Sequence, residues 1–170
     1  MVLLIHQAKN IPQISFIVRA SHPNDEFHGG QMAFPGGKQE IGESLEDCAK
    51  REMAEEIGIQ LSEHHPLYPL TPLYIAVSNF IVHPYVAFLD IEPKFNMDSS
   101  EIAEIITIPL TKLSSNFKIE HKDWVARKRH FKNIPYYDIQ GHTLWGATAI
   151  IFTEFLSILR KGLPLSSRNS

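Results

Sequence analysis

Three glutamates, Glu52, Glu55 and Glu56, stand at positions i, i+3 and i+4. On a helix that spacing stacks carboxylates along one face. Like charges so placed destabilise a helix by about 0.2–0.5 kcal/mol per pair, and nothing local offsets the cost. Hard oxygen donors converging from one face suit Mg²⁺ or Mn²⁺, which bind a few carboxylates together with water and substrate phosphates. The competing account is a solvated acidic face. Upstream, Gly36-Gly37 permits backbone conformations closed to other residues and lets a main-chain carbonyl approach a cation. Glu43 and Arg51, eight residues apart, have the charges to pair across a loop–helix junction and anchor the loop.

These side chains need a helix and a sharp corner to hold them. Ser44 is a good N-cap with Asp47 three residues on, in the position of a capping-box acid. Leu45, Ala49, Met53 and Ile57 fall four apart as one apolar stripe, and Gly58 is suited to end the helix. Pro35 stops any regular element before the two glycines. Elsewhere Ile14–Val18 reads as a buried strand, and 21–30 as a polar loop. Residues 73–89 read as two strands or one bent strand, and 102–108 as a strand followed by a helical turn to Leu113. Strand-like pieces fill 117–139, and residues 146–160 form an amphipathic closing helix with apolar Ala149, Ile150, Phe152, Phe155, Leu156 and Leu159. Strands interleaved with two substantial helices predict a mixed α/β or α+β domain.

The chain has 170 residues, 44% hydrophobic and 21% charged, with no repeat or low-complexity linker. One domain over 1–170 is expected. Sixteen basic against nineteen acidic residues, a formal charge of −3, argue against a dedicated nucleic-acid binder. The single cysteine, Cys48, excludes an internal disulfide framework and fits a reducing compartment. The apolar opening MVLLI is too short for a secretory core or a membrane span, and SSRNS is no peroxisomal address, so a cytoplasmic chain is expected.

Residues 37–59, GKQEIGESLEDCAKREMAEEIGI, match the Nudix signature G-x5-E-x7-R-E-U-x-E-E-x-G-U at every specified position. These are Gly37, Glu43, Arg51, Glu52, Met53, Glu55, Glu56, Gly58 and Ile59. The chain therefore resembles the Nudix hydrolase superfamily. The resemblance implies an α+β fold, an α/β/α sandwich with a mixed sheet between helices. It also implies Mg²⁺- or Mn²⁺-dependent hydrolysis of a diphosphate in a small-molecule nucleotide substrate. Carried over, Glu52 and Glu56 are metal ligands, with Glu55 and the Gly37 carbonyl beside them, and Arg51 and Glu43 organise them. Glu52, Glu55, Arg51 and Glu43 form the catalytic set. The general base is left open among Glu52, Glu55, Glu101 and Glu104. His28 and His142 flank family-like segments, where a packed or solvent-facing role competes with a catalytic one.

Further segments resemble the coenzyme A pyrophosphatase subgroup: HGGQMAFPGG (28–37), SNFIVHPYVAF (78–88), SEIAEIITIPLTKL (100–113) and LWGATAII (144–151). Taken singly, Phe34, Phe80 and Trp145 also read as plain core residues. The subgroup implies coenzyme A or its derivatives as substrate, with Arg19, His28, Gln31 and Phe34 as substrate contacts. Glu26 stands where the subgroup carries a second arginine, a sign reversal that opposes phosphate binding; a unit pair at about 4 Å is worth about 4 kcal/mol at an effective dielectric of 20. The alternatives are a Nudix hydrolase for ADP-ribose or another nucleotide, and a non-catalytic nucleotide-sensing module.

Overall fold

The computed structural model describes residues 1–21, 29–113, 117–126 and 129–162. Its strands are β1 (Val2–Ala8), β2 (Ile11–Arg19), β3 (Met32–Ala33), β4 (Tyr68–Pro69), β5 (Leu73–Ile75), β6 (Phe80–Val82), β7 (Tyr85–Leu89), β8 (Ile102–Pro109), β9 (Glu120–Ala126), β10 (Arg129–Ile139) and β11 (His142–Trp145). The helices are α1 (Leu45–Ile57), the single turn α2 (Leu110–Leu113) and α3 (Gly146–Gly162). Among the described residues no helix is long and apolar enough to cross a membrane.

The apolar opening of the chain, assigned no element from sequence, is the start of β1. Its Val2, Leu3, Leu4 and Ile5 are all buried, because the sheet is covered on both faces and neither parity of the strand meets water. Lys9 and Asn10, both at positive φ, turn β1 into antiparallel β2. β7 runs parallel to β1, which makes the sheet mixed. β1 and β3 share one edge of β2, while β8 takes the other along Gln13–Arg19. A second sheet of β9, β10 and β11 and the hairpin β5–β6 complete the fold.

One core joins Leu3, Ile5, Ile14 and Phe16 of the sheet to Phe152, Phe155 and Leu156 of α3. On the opposite face Val2, Leu4 and Ile17 pack with Ala49, Met53 and Ile57 of α1. Full burial of such side chains contributes about 1.5–3 kcal/mol each. The observed class is the expected one, α+β with a mixed sheet between helices. One position of the α3 stripe differs from expectation. Ile150 is 58% exposed, and Ile151 is buried in its place, since i+3 and i+4 steps from Thr148 reach 151, 152, 155 and 156.

Candidate metal and active site

The site starts with how α1 begins and ends. The Ser44 hydroxyl accepts from the Asp47 backbone N–H at 3.1 Å, and Gly58 closes the helix at φ 72° with its N–H on the Ala54 carbonyl. Both caps lie where the sequence puts them. Between them Leu45, Ala49, Met53 and Ile57 face the sheet, Leu45 less deeply than the rest. That orientation decides where the acids go.

The corner before α1 is pinned at several points. Phe34 is buried and stacks on Phe16 at 4.8 Å, and the Pro35 carbonyl accepts from Val2 N–H at 2.8 Å. Gly36 has φ 146°, and a Cβ there would run into Met1, so only glycine fits. Its N–H donates to Glu56 Oε2 at 2.8 Å. A methyl group on Gly37 would overlap the Glu52 carboxylate. The two glycines thus bring backbone against two carboxylates one helical turn apart.

Arg51 organises the exposed side of the site. Its Nε and Nη2 donate to the two carboxylate oxygens of Glu43 at 3.1 and 2.9 Å. Nη1 donates to Glu52 at 2.9 Å and to Glu55 at 2.8 Å, and Nη2 also reaches the Lys38 carbonyl at 3.2 Å. Bidentate arginine–carboxylate geometry of this kind is strong and directional. Loop and helix are therefore joined by the Glu43–Arg51 pair, as the eight-residue spacing suggested. Hydrogen bonds from Arg51 and the Glu40 N–H hold the Glu43 carboxyl down at about 2.

The three box glutamates occupy unlike environments. Glu56 is 2% exposed, and burial pushes its carboxyl up to about 7; the Gly36 N–H and Arg19 oppose that rise, while Glu52 and Glu101 add to it. Glu52 is also raised, first by burial, against the pull of Arg51. Glu55 is 59% exposed and turned to Arg51. The three acids lie along one side of α1, Glu52 and Glu55 sharing Arg51 Nη1, but at different depths. Glu52 and Glu56 lean into the glycine corner, and Glu55 lies outward. Among the described residues, no three His, Cys, Asp or Glu groups already converge at metal-binding separations.

The donor set nonetheless fits a hard divalent cation. Beyond burial, Glu101 raises the proton affinity of both Glu52 and Glu56, and Glu52 adds to that of Glu56, which a positive ion would relieve. The positive groups acting on Glu56 include Arg19, whose Nη1 lies 3.6 Å away, and the Met1 amino group. The lack of a side chain at Gly37 lets the Glu52 carboxylate lie against the backbone there, and the Gly37 carbonyl accepts from the Cys48 thiol at 4.0 Å.

The remaining expected residues divide. Arg19, expected to meet substrate, faces Glu56 instead. Gln31 is half-buried, and its carbonyl takes the Arg19 N–H at the strand edge. Phe34 is corrected from substrate contact to core: at 1% exposure, between Phe16 and Phe152, it has no surface to offer. His28 and Glu26 lie outside the described residues. Glu104 is set apart from the corner, 3.6 Å from His142 Nε2, whereas Glu101 acts electrostatically on both Glu52 and Glu56. Sequence reasoning passed over Lys38 and treated Phe80 as possible core. Phe80 is 48% exposed, with the Lys38 Nζ 6.0 Å from its ring centre. The available signal was the lysine directly after the glycine pair.

The NUDIX domain model matches residues 2–131. An uncharacterized Nudix hydrolase NudL of Photorhabdus laumondii is 32% identical over 128 residues, 75% of this chain and 67% of that protein. The human mitochondrial coenzyme A diphosphatase NUDT8 is 29% identical over 160 residues, 91% of this chain and 66% of that protein. A MutT/nudix family protein from Enterococcus faecalis shares the fold, with a TM-score of 0.55 at 20% identity over 94% of this chain and 57% of that one. The chain spans about two thirds of the length of these curated relatives.

Proposed function

Because this chain belongs to the Nudix family, we propose that it is a pyrophosphohydrolase that cleaves the diphosphate of a nucleotide, with coenzyme A and its derivatives as the substrate class. The observation that carries the hydrolase reading is the pair of desolvated carboxylates, Glu52 and Glu56, held against Gly36-Gly37 and braced by Arg51. The coenzyme A reading is supported by the segments flanking the box and by the likeness to a coenzyme A diphosphatase.

Glu52, Glu56 and the Gly37 carbonyl would hold Mg²⁺ or Mn²⁺, with Glu55 in reserve. Such an ion, when bound, supplies Lewis acidity and charge neutralisation at the phosphates. The chain's own part is positional. Arg51 fixes the Glu52 carboxylate while Glu43 fixes Arg51. Arg19 and the Gly36 N–H orient Glu56. Glu101 is the base that removes a proton from the attacking water, by its closeness to both acids, and Glu104 is not, being engaged with His142. Water oxygen bonds to phosphorus as the bridging P–O bond breaks and its electron pair leaves with the other phosphate. On coenzyme A the products are phosphopantetheine and adenosine 3′,5′-bisphosphate.

The test is a screen of coenzyme A, ADP-ribose, NADH and dinucleoside polyphosphates in Mg²⁺ and in Mn²⁺, with products identified by mass. Coenzyme A turned over above the others supports the reading. Preference for another nucleotide overturns the substrate class, and no metal-dependent cleavage of any of them overturns the enzyme.

A further inference from the structure

We propose that Lys38 and Phe80 form a clamp for the nucleotide half of the substrate, the Lys38 ammonium taking the ribose 3′-phosphate and the Phe80 ring stacking the adenine. The inference rests on the coenzyme A reading above and names what would select that substrate.

The two residues come from separate parts of the fold and meet beside the corner. Lys38 directly follows Gly37, and its carbonyl is held by Arg51 Nη2 at 3.2 Å. Its Nζ lies 6.0 Å from the Phe80 ring centre, the outer limit of a cation–π contact. Phe80 opens β6, just after Asn79, which turns the hairpin at φ 55°. The base of that hairpin is fixed. Leu73 and Val82 pack on the α3 core, and the Thr71 N–H and hydroxyl donate to Glu154 of α3 at 3.1 and 2.7 Å. Its outer side chains, Tyr74 and Phe80, stay in solvent. A ring presented on a rigid hairpin loses little freedom when a base stacks on it.

Charge pairing singles out Lys38. Arg51 is committed to Glu43, Glu52 and Glu55, and Arg19 faces Glu56. Lys38 pairs with no acid among the described residues, although it adjoins this acidic site. A dianionic phosphate approaching here needs a cation, and Lys38 has one to give. Spatial order also agrees. Along the contacts of the protein the order is Glu52 against Gly37, then the adjacent Lys38, then the Phe80 ring. Along the nucleotide it is 5′-diphosphate, ribose 3′-phosphate, base.

Calorimetric titration of adenosine 3′,5′-bisphosphate and of adenosine 5′-monophosphate into the whole chain tests the clamp without relying on turnover. Wild type is expected to prefer the bisphosphate by roughly tenfold, Lys38→Ala to erase that preference, and Lys38→Arg to keep it. Phe80→Ala should weaken both ligands by roughly tenfold, with Phe80→Trp restoring them. Melting curves check that each variant folds. In parallel, the rate ratio for coenzyme A over 3′-dephospho-coenzyme A should fall in Lys38→Ala. No bisphosphate preference in wild type, or an undiminished one in Lys38→Ala, overturns the clamp. Wild type that shows the preference and leaves coenzyme A intact overturns the coenzyme A reading and upholds the clamp as a site for the bisphosphate nucleotide; cleavage of coenzyme A with the preference unchanged in Lys38→Ala overturns the clamp alone.

Discussion

Arg51 and Glu43 meet as a two-pronged pair, Nε and Nη2 on the two oxygens of one carboxylate, and the same guanidinium reaches Glu52 and Glu55 with Nη1. A lysine amine has no planar fork and cannot keep both prongs. Arg51→Lys is therefore expected to lower stability by about 1–3 kcal/mol, and to depress kcat more than it raises KM. Urea melts and initial rates read the two effects. Glu43→Gln together with Arg51→Lys should cost less than the two losses summed, because they remove one interaction.

Gly37→Ala places a methyl group where the Glu52 carboxylate sits. That carboxylate is the mobile end of a side chain, so it swings aside and the fold survives. Activity is expected to fall by roughly a hundredfold, the scale on which small misplacements act, with a melting temperature close to wild type in chelator. Full activity in the alanine variant would count against close packing at this corner as a requirement.

Glu56 sets a pH dependence of defined sign. Its carboxyl lies at about 7 in the folded chain because of burial, against an ordinary value near 4.5 when unfolded. The folded chain then holds a proton that the unfolded chain releases, so this contribution is complete below pH 4.5 and is lost as pH rises through 7. The size is on the order of 3 kcal/mol. Glu43 acts in the opposite sense at lower pH, its contribution present above about 4.5 and lost as pH falls through about 2. Urea melts in chelator should show stability declining between pH 5 and 8 in wild type and declining less steeply in Glu56→Gln, where Glu52 alone of the two raised acids remains; equal slopes would reject Glu56 as the main source.

Divalent ions should remove that decline. A cation that binds only the native state raises its stability by RT ln(1 + [L]/Kd), about 2.7 kcal/mol at a hundredfold excess over Kd. Millimolar Mg²⁺ or Mn²⁺ is expected to raise the melting temperature of wild type at pH 8. Glu56→Gln should lose most of the shift and Glu55→Gln should retain most of it, since Glu55 faces Arg51 and solvent. Equal loss in both variants would abolish the ranking of Glu56 over Glu55.

Glu101→Gln should reduce kcat by about 10²–10⁴-fold, the usual contribution of a general base, and Glu104→Gln by less than about threefold. Initial rates at saturating substrate and metal separate the two, with the large loss expected in Glu101→Gln alone. A collapse of activity in Glu104→Gln would move the base to β8.

Local order was legible in the chain itself. Ser44, the four-residue stripe and Gly58 marked α1 to the residue, because caps and helical periodicity are short-range physics. The nine signature positions announced a metal-binding, diphosphate-cleaving family for the same reason: they sit within twenty-three consecutive residues. Spacing alone gave the three glutamates one face. Which of them is buried depended on the sheet and on the corner packed over α1, and that cluster joins residues as far apart in the chain as Val2 and Ile102. Burial by distant strands separates Glu56 at 2% exposure from Glu55 in solvent. It also turns Phe34 into core and leaves Phe80 bare, although both are phenylalanines in apolar surroundings. Desolvation is a property of three-dimensional neighbours, and no local pattern records it.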